Sequence, residues 1–246
     1  MDFPRYIAHR GLHDGTAAAP ENSLAAFERA AEKGFAVELD VRFTADRRMV
    51  VFHDAVTSRM CGVKREVANT EYSQLRELRL LGGECRIPLL TEVLKLIAGR
   101  VMILVELKNT AGVPDAEKRL AHLLMQYDGE FAVQSFDPFA LKRLRAAAPD
   151  IVRGQLVSTY GKQKRMLREI ASMKPVWQLI SKPQFISWDL RSVTLEAAFW
   201  AADIDAHFIT WTADSIELIK AAESFSGSII FENIEESYFD GRSQKN

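Results

Sequence analysis

Hydrophobic and polar positions divide this chain into short apolar runs separated by longer stretches that carry a helical stripe of apolar residues. Short continuous apolar runs are typical of buried strands, and apolar residues three or four positions apart are typical of amphipathic helices. The markers of the eight main strands are Tyr6, Val37, Val101, Phe131, Ile151, Phe185, His207 and Ser228. The first predicted helix begins after Asn22 or Ser23. The others cover Leu90–Ile97, Asp115–Tyr127, Pro138–Ala148, Lys162–Met173, Val193–Ala202 and Ser215–Glu223.

This alternation predicts the fold class. Continuous apolar strands that alternate with helices favour a parallel sheet covered by helices. Eight such units in 246 residues favour a TIM (β/α)8 barrel, whose active site lies at the carboxyl ends of the strands. A doubly wound open sheet is the alternative, and the absence of a Gly-x-Gly-x-x-Gly turn after any strand weakens it.

One segment breaks the rhythm. An additional strand is predicted over Met49–Asp54, and residues 55–88 are then polar, glycine-containing and without a regular period, apart from one helical piece around Ser73–Leu80. We therefore predict a single barrel domain over residues 1–246, with residues 55–88 as a small insertion after the second strand region.

Composition excludes several classes of protein. Hydrophobic residues make up 48% of the chain and the net charge is −1, so neither a nucleic-acid partner nor a disordered acidic tail is expected. The first ten residues hold no apolar signal core, and no run approaches the ~18 uncharged apolar residues of a membrane helix. These features predict a cytoplasmic protein with no membrane span, in which Cys61 and Cys85 are free thiols.

The candidate chemistry centres on the strand Ala36–Phe43. Glu38 and Asp40 are two residues apart, so both side chains point to the same face of the strand. Two neighbouring carboxylates in an apolar segment need a shared proton or a divalent cation. The alternative is an exposed strand end where the pair is neutralised by Arg42 or a lysine.

Other chemically active residues stand at the ends of neighbouring strands. His9 and Arg10 end the first strand, His53 ends the additional one, and Glu106 and Lys108 end the third. Three carboxylates, Glu38, Asp40 and Glu106, form an oxygen set suited to Mg²⁺ or Ca²⁺. Two histidines can act as general acid and general base, and Arg10 with Lys108 can hold an anion. This combination favours phosphoryl transfer or phosphodiester cleavage.

The same residues resemble the ordered motifs of a known family. His9-Arg10-Gly11, Pro20-Glu21-Asn22-Ser23, Glu38-Leu39-Asp40, His53-Asp54 and Glu106-Leu107-Lys108 are similar to the motif set of the glycerophosphodiester phosphodiesterases. The resemblance implies a TIM barrel with an insertion after the His-Asp motif. It implies one divalent cation, Mg²⁺ or Ca²⁺, on Glu38, Asp40 and Glu106, with His9 and His53 as the acid and base. It also implies phosphate contacts from Arg10 and Lys108.

The implied reaction is hydrolysis of a glycerophosphodiester to glycerol 3-phosphate and an alcohol, within lipid and glycerol metabolism. Trp211 and Phe136 are candidates to contact the substrate, with core packing as the alternative for both. Glu21, Asn22 and Asp54 are expected to support the site from behind. Near the last strand, Ile230-Phe231-Glu232-Asn233 departs from the family's pattern.

Two other functions remain open at this point. A related enzyme could use a hydroxyl of the substrate as the nucleophile and release a cyclic phosphate, and the same two histidines would serve it. A barrel without catalysis could simply bind phosphorylated polyols. The sequence leaves open whether the protein forms a homo-oligomer.

Overall fold

The computed structural model describes residues 2–108, 110, 112–158 and 179–242. The predicted helix over Lys162–Met173 lies outside these residues. The chain forms two compact units, one of residues 8–131 and one of residues 1–7 with 132–246. The strands of the described residues are β1 (Tyr6–Ala8), β2 (Ala36–Phe43), β3 (Met49–Val51), β4 (Ile103–Leu107), β5 (Phe131–Ser135), β6 (Arg153–Val157), β7 (Phe185–Asp189), β8 (His207–Ala213) and β9 (Ser228–Phe231).

The helices of the described residues are α1 (Leu24–Glu32), α2 (Ser58–Cys61), α3 (Tyr72–Leu75), α4 (Leu90–Ile97), α5 (Ala116–Leu124), α6 (Pro138–Ala147), α7 (Leu195–Asp203) and α8 (Ile216–Glu223). All but the short α2 and α3 agree with predicted helices to within a few residues at each end. Ser23 is the N-cap of α1, because its hydroxyl accepts a hydrogen bond from the backbone N–H of Ala26 at 3.1 Å. None of the helices in the described part of the chain is long and apolar enough to cross a membrane.

The unit of residues 8–131 is built on β2. This strand pairs in parallel with β4, so that Asp40 lies opposite Glu106, and antiparallel with β3, so that Val41 lies opposite Val51. Both faces of β2 are buried, and only Arg42 is partly exposed along the strand. The helix α1 packs against β2, and α4 packs against α1 and β3. A parallel pair buried in this way brings the carboxyl ends of β2 and β4 to the same edge.

Residues 55–88 form an irregular segment with apolar residues of its own. Instead of one helix around Ser73–Leu80, the segment has the short α3 and a separate 3₁₀ turn over Leu80–Gly82, because Arg79 forms an extended bridge to Arg86 that interrupts a helix. Its buried side chains join a cluster with β3 and the residues around it: Val50, Phe52, Met60, Val67, Leu75, Leu80, Ile87 and Leu89. That these residues are an insertion into the barrel domain stays a prediction.

The unit of residues 1–7 and 132–246 contains the remaining strands in the order β1-β9-β8-β7-β6-β5, and β5 to β9 pair in parallel with their neighbours. Phe185 and Phe231 are fully buried in its core. Arg153, the first residue of β6, holds the chain just before β7, because its guanidinium donates to the backbone carbonyls of Ser181 and Lys182 at 2.9 and 3.0 Å. The predicted parallel sheet covered by helices is therefore observed here too.

Candidate metal centre and active site

Three buried carboxylates meet where β2 pairs with β4: Glu38 and Asp40 lie within β2, and Glu106 lies near the carboxyl end of β4. The side chains of Glu38, Asp40 and Glu106 each offer an oxygen within 4.8 Å of the other two. Glu38 and Asp40 share a face because they are two residues apart on β2, and Glu106 joins them because it pairs with Asp40 in the parallel register. Glu38 and Asp40 are each 1% exposed, so the alternative of an exposed strand end is wrong.

The charge of these carboxylates is only partly balanced by the chain itself. Lys108 lies between two of them, with its Nζ 2.7 Å from Asp40 Oδ1 and 2.5 Å from Glu106 Oε1. Burial opposes ionisation of Asp40, but Lys108 and Arg10 outweigh it and lower the pKa of this carboxyl. Burial, together with the neighbouring charges of Asp40 and Glu106, raises the pKa of Glu38 well above its ordinary value. With all three carboxylates ionised, the cluster would carry three negative charges beside the two cations Lys108 and Arg10, so the raised pKa of Glu38 fits a place that a divalent cation can take instead of a proton.

Arg10 and the turn that follows β1 frame this cluster. The strand ends at Ala8, so His9 and Arg10 lie just beyond it rather than inside it. The backbone N–H of Arg10 donates to Glu38 at 3.3 Å, its Nε is 3.3 Å from Asp40 Oδ2, and its Nη1 donates to Glu21 at 2.8 Å. Arg10 itself has a φ of 56°, a region that costs a non-glycine residue energy, so the turn is conformationally restricted.

Gly11 is where this turn touches α1. It has a φ of +82°, and a Cβ added there would lie 2.9 Å from the backbone carbon of Ala26. Gly15, in the same loop, has a φ of +71° but open space around it. We expect Gly11→Ala to lower the free energy of unfolding by roughly 2–4 kcal/mol, because strain and overpacking add, and Gly15→Ala by only about 1 kcal/mol. Thermal melts of both variants check this, and equal losses would contradict the close approach.

The predicted supporting residue Asn22 contacts the cluster directly. Its Nδ2 donates to Asp40 Oδ2 at 2.7 Å, and its own backbone N–H donates to the carbonyl of Arg10 at 2.9 Å. Asn22 is 1% exposed and also adopts a positive φ of 56°. It thereby links the turn after β1 to the carboxylate of Asp40.

Both histidines interact with these carboxylates. His9 Nε2 is 3.9 Å from Glu38 Oε2. His53 lies two residues beyond β3, which ends at Val51, and the backbone N–H of the intervening Phe52 donates to the carbonyl of Asp40 on β2 at 2.9 Å. Burial lowers the pKa of His53, although the charge of Asp40 acts in the opposite direction. Its Nδ1 is 2.7 Å from Asp54 Oδ1, so the side chain that was predicted to support His53 contacts it.

Arg59 is a residue of this site that sequence reasoning missed. Its guanidinium donates to both oxygens of Glu21 and to Asp54 Oδ2, each at 2.7 Å. Arg42, proposed as a neutralising partner, instead donates to the backbone carbonyl of His53 at 2.8 Å. Arg59 belongs to the irregular segment, where no period singles out a position.

Trp211 and Phe136 lie in the other unit. Their rings meet edge to face with centroids 5.8 Å apart, and the indole N–H of Trp211 donates to the carbonyl of Ser187 at 3.0 Å. Phe136 is 40% exposed and follows the carboxyl end of β5. That they contact a substrate stays a prediction.

Comparison with solved structures settles the fold class. A phosphodiesterase from Oleispira antarctica, in complex with the product sn-glycerol-3-phosphate, superposes with a TM-score of 0.80 over 97% of this chain and 96% of that one, at 23% identity. A putative glycerophosphoryl diester phosphodiesterase from Silicibacter pomeroyi gives a TM-score of 0.75 over 94% and 90%, at 25% identity. The fold is a TIM (β/α)8 barrel, and the alternative of a doubly wound open sheet is wrong.

The fold and the buried acidic cluster thus define a TIM-barrel protein with a group able to hold a divalent metal ion. Residues 9–188 match the sequence model of the Glycerophosphoryl diester phosphodiesterase family, and the chain belongs to this family. A glycerophosphodiester phosphodiesterase from Caldanaerobacter subterraneus subsp. tengcongensis is 33% identical over 163 residues, which is 61% of this chain and 65% of that protein. Its counterpart from Bacillus altitudinis is 33% identical over 159 residues, 60% and 64% of the two chains. The chain spans just under two thirds of the length of these two curated relatives.

Proposed function

We propose that this protein hydrolyses glycerophosphodiesters to glycerol 3-phosphate and an alcohol, as a metal-dependent phosphoric diester hydrolase. The observation that carries the proposal is the buried group of Glu38, Asp40 and Glu106 with two histidines and two cationic side chains beside it. The family supplies the substrate class, and the relative crystallised with sn-glycerol-3-phosphate supports it.

The three carboxylates would hold one divalent cation. Their donor set consists of oxygen alone, which favours Mg²⁺ or Ca²⁺ over metals that prefer nitrogen or sulfur ligands. Such a cation, when bound, polarises a phosphoryl oxygen and neutralises charge that develops on it. Lys108 and Asn22 hold the ligand Asp40 in place, because each contacts one of its two oxygens.

The cationic and imidazole side chains would act on the phosphodiester itself. Arg10 and Lys108 would bind its anionic oxygens, and the contacts of both side chains with Asp40 support this role. His9 and His53 would divide the proton transfers, one taking a proton from the attacking hydroxyl or water and the other giving one to the leaving alkoxide. Trp211 and Phe136 would contact the remainder of the substrate. A place in lipid and glycerol metabolism and a cytoplasmic location belong to the same proposal.

Product analysis tests this function. We expect phosphorus NMR of reactions with a panel of glycerophosphodiesters to show glycerol 3-phosphate as the phosphorus-containing product. The Asp40→Asn variant, purified in the same way, is the control for a contaminating phosphodiesterase and should release none. A cyclic phosphate as the final product would show that a hydroxyl of the substrate attacks phosphorus, and the proposal of hydrolysis would then be wrong. Binding of these compounds without any turnover would show that the protein is a non-catalytic barrel that binds phosphorylated polyols.

A further inference from the structure

Arg59 stands on a braced turn of the irregular segment. Just before it, the buried hydroxyl of Thr57 accepts from the backbone N–H of Arg65 at 3.0 Å and donates to the carbonyl of Val63. Just after it, Met60 is 4% exposed and packs in the apolar cluster that this segment forms with β3. The backbone of Arg59 is therefore held from both sides, although its side chain is 47% exposed.

The side chain of Arg59 joins two carboxylates that each have a second partner. Two of its nitrogens donate to the two oxygens of Glu21, and Glu21 Oε1 also accepts from Arg10 at 2.8 Å. Its Nε donates to Asp54 Oδ2, while Asp54 Oδ1 lies 2.7 Å from His53 Nδ1. The result is one continuous series of hydrogen bonds from Arg10 through Arg59 to His53.

This series of hydrogen bonds determines which ring nitrogen of His53 carries the proton. An ionised carboxylate can only accept hydrogen bonds, so an ionised Asp54 requires the proton of a neutral His53 to sit on Nδ1. Nε2 is then the ring atom that can take or give a proton. Hydrogen bonding to Arg59 lowers the pKa of Asp54 against the opposing effect of burial, and it acts in the same way on Glu21. Both groups therefore remain acceptors for their partners.

We propose that Arg59 is a positioning residue, which holds Glu21 and Asp54 so that Arg10 and His53 are aimed at the phosphodiester. This inference rests on the proposed function for its kinetic consequences. An exposed ion pair usually contributes at most about 1 kcal/mol and no specific geometry. Arg59 differs because three of its hydrogen bonds go to carboxylates that are only 14% and 23% exposed and that already contact site residues. The planar guanidinium group of Arg59 is needed to donate to Glu21 and Asp54 at the same time, and the single ammonium group of a lysine cannot reproduce this geometry.

Kinetics of three variants test the positioning role. Arg59→Ala and Arg59→Lys should both lower kcat by roughly 10–100-fold, as the loss of a partner behind an active-site group does. Arg65→Ala removes an exposed arginine from the same segment and should stay within about twofold of the unchanged protein. Full activity of either Arg59 variant would overturn the inference, and full activity of Arg59→Lys would show that the charge alone suffices.

A second readout needs no substrate, so it separates this inference from the proposed function. In protein labelled with nitrogen-15 histidine, His53 should show a protonated Nδ1 and an unprotonated Nε2, with the signal assigned by its loss in His53→Gln. In Arg59→Ala the tautomers should shift toward protonated Nε2, and in Arg65→Ala they should not. An unchanged His53 signal in Arg59→Ala would overturn the inference. If the unchanged protein hydrolyses no glycerophosphodiester, the proposed function fails while this measurement still decides the role of Arg59.

Discussion

Glu38→Gln is expected to lose divalent-cation binding and to reduce turnover at least about 100-fold while the protein stays folded. The reason is that Glu38 would supply one of three carboxylate ligands. Even the loss of a residue that only hydrogen-bonds to a metal ligand lowers metal affinity or activity by roughly 10–100-fold. Calorimetric titration with Mg²⁺ and Ca²⁺ and steady-state kinetics measure the two losses. Glu32→Gln, which alters an exposed acid at the end of α1, is the matched control. Unchanged metal affinity or full activity in Glu38→Gln would rule out the site.

The same variant has a second, opposite effect on the metal-free protein. Burial and the charges of Asp40 and Glu106 raise the pKa of Glu38 in the folded state above its unfolded value. The folded state therefore binds this proton more tightly. The resulting stability is fully present below the unfolded pKa and is lost as the pH rises through the folded pKa.

In excess chelator at pH 8, Glu38→Gln should therefore be more stable than the unchanged protein. A gain of about 1 kcal/mol would correspond to roughly 2–4 °C in melting temperature for a chain of this size. The gain should shrink as the pH falls toward 5, because Glu38 of the unchanged protein then binds its proton again. Thermal melts at both pH values measure the difference. A variant that is less stable at both would show that the carboxylate is not destabilising in the absence of metal.

Removal of either histidine is expected to lower turnover by roughly 10²–10⁴-fold, the usual contribution of general acid or base catalysis. The unchanged enzyme should have a bell-shaped pH–rate profile, and His9→Ala and His53→Ala should each lose one limb of it. His122→Ala is the matched control, because His122 lies on α5 and is hydrogen-bonded there to Gln126 at 2.9 Å. Its profile should be unchanged.

A substrate with a good leaving group assigns the two roles. A glycerophosphodiester of nitrophenol releases a stable phenolate, so its cleavage needs no general acid. It should restore the rate of the variant that lacks the acid and leave the variant that lacks the base slow. Equal rescue of His9→Ala and His53→Ala, or rescue of neither, would contradict a division of proton transfer between these side chains.

The parts of the site that follow from local geometry could be predicted from the sequence. Glu38 and Asp40 share a face because a strand has a period of two, and the apolar residues around them predict burial. That Asp40 lies opposite Glu106 depends on the register between β2 and β4, which long-range pairing decides. The sequence only placed these residues at comparable strand ends.

The parts that depend on irregular backbone could not be predicted. β3 is shorter than its apolar run and ends at Val51, whose backbone N–H donates to the carbonyl of Pro88, a residue far away in sequence. Arg59 reaches Glu21 across 38 residues from a segment without periodicity, so no pattern marks it. Its role follows from the hydrogen bonds that the folded chain makes.

The rate of glycerol 3-phosphate release, measured on metal-free protein and again after metal is returned, decides whether hydrolysis at the three carboxylates requires a divalent cation. The protein is treated with excess chelator, desalted and assayed on a glycerophosphodiester before and after Mg²⁺ or Ca²⁺ is returned. We expect almost no release before the addition and recovery of the full rate after it, with Glu38→Gln recovering little at the same metal concentration. A full rate in the continued presence of excess chelator would contradict metal-dependent hydrolysis at this site.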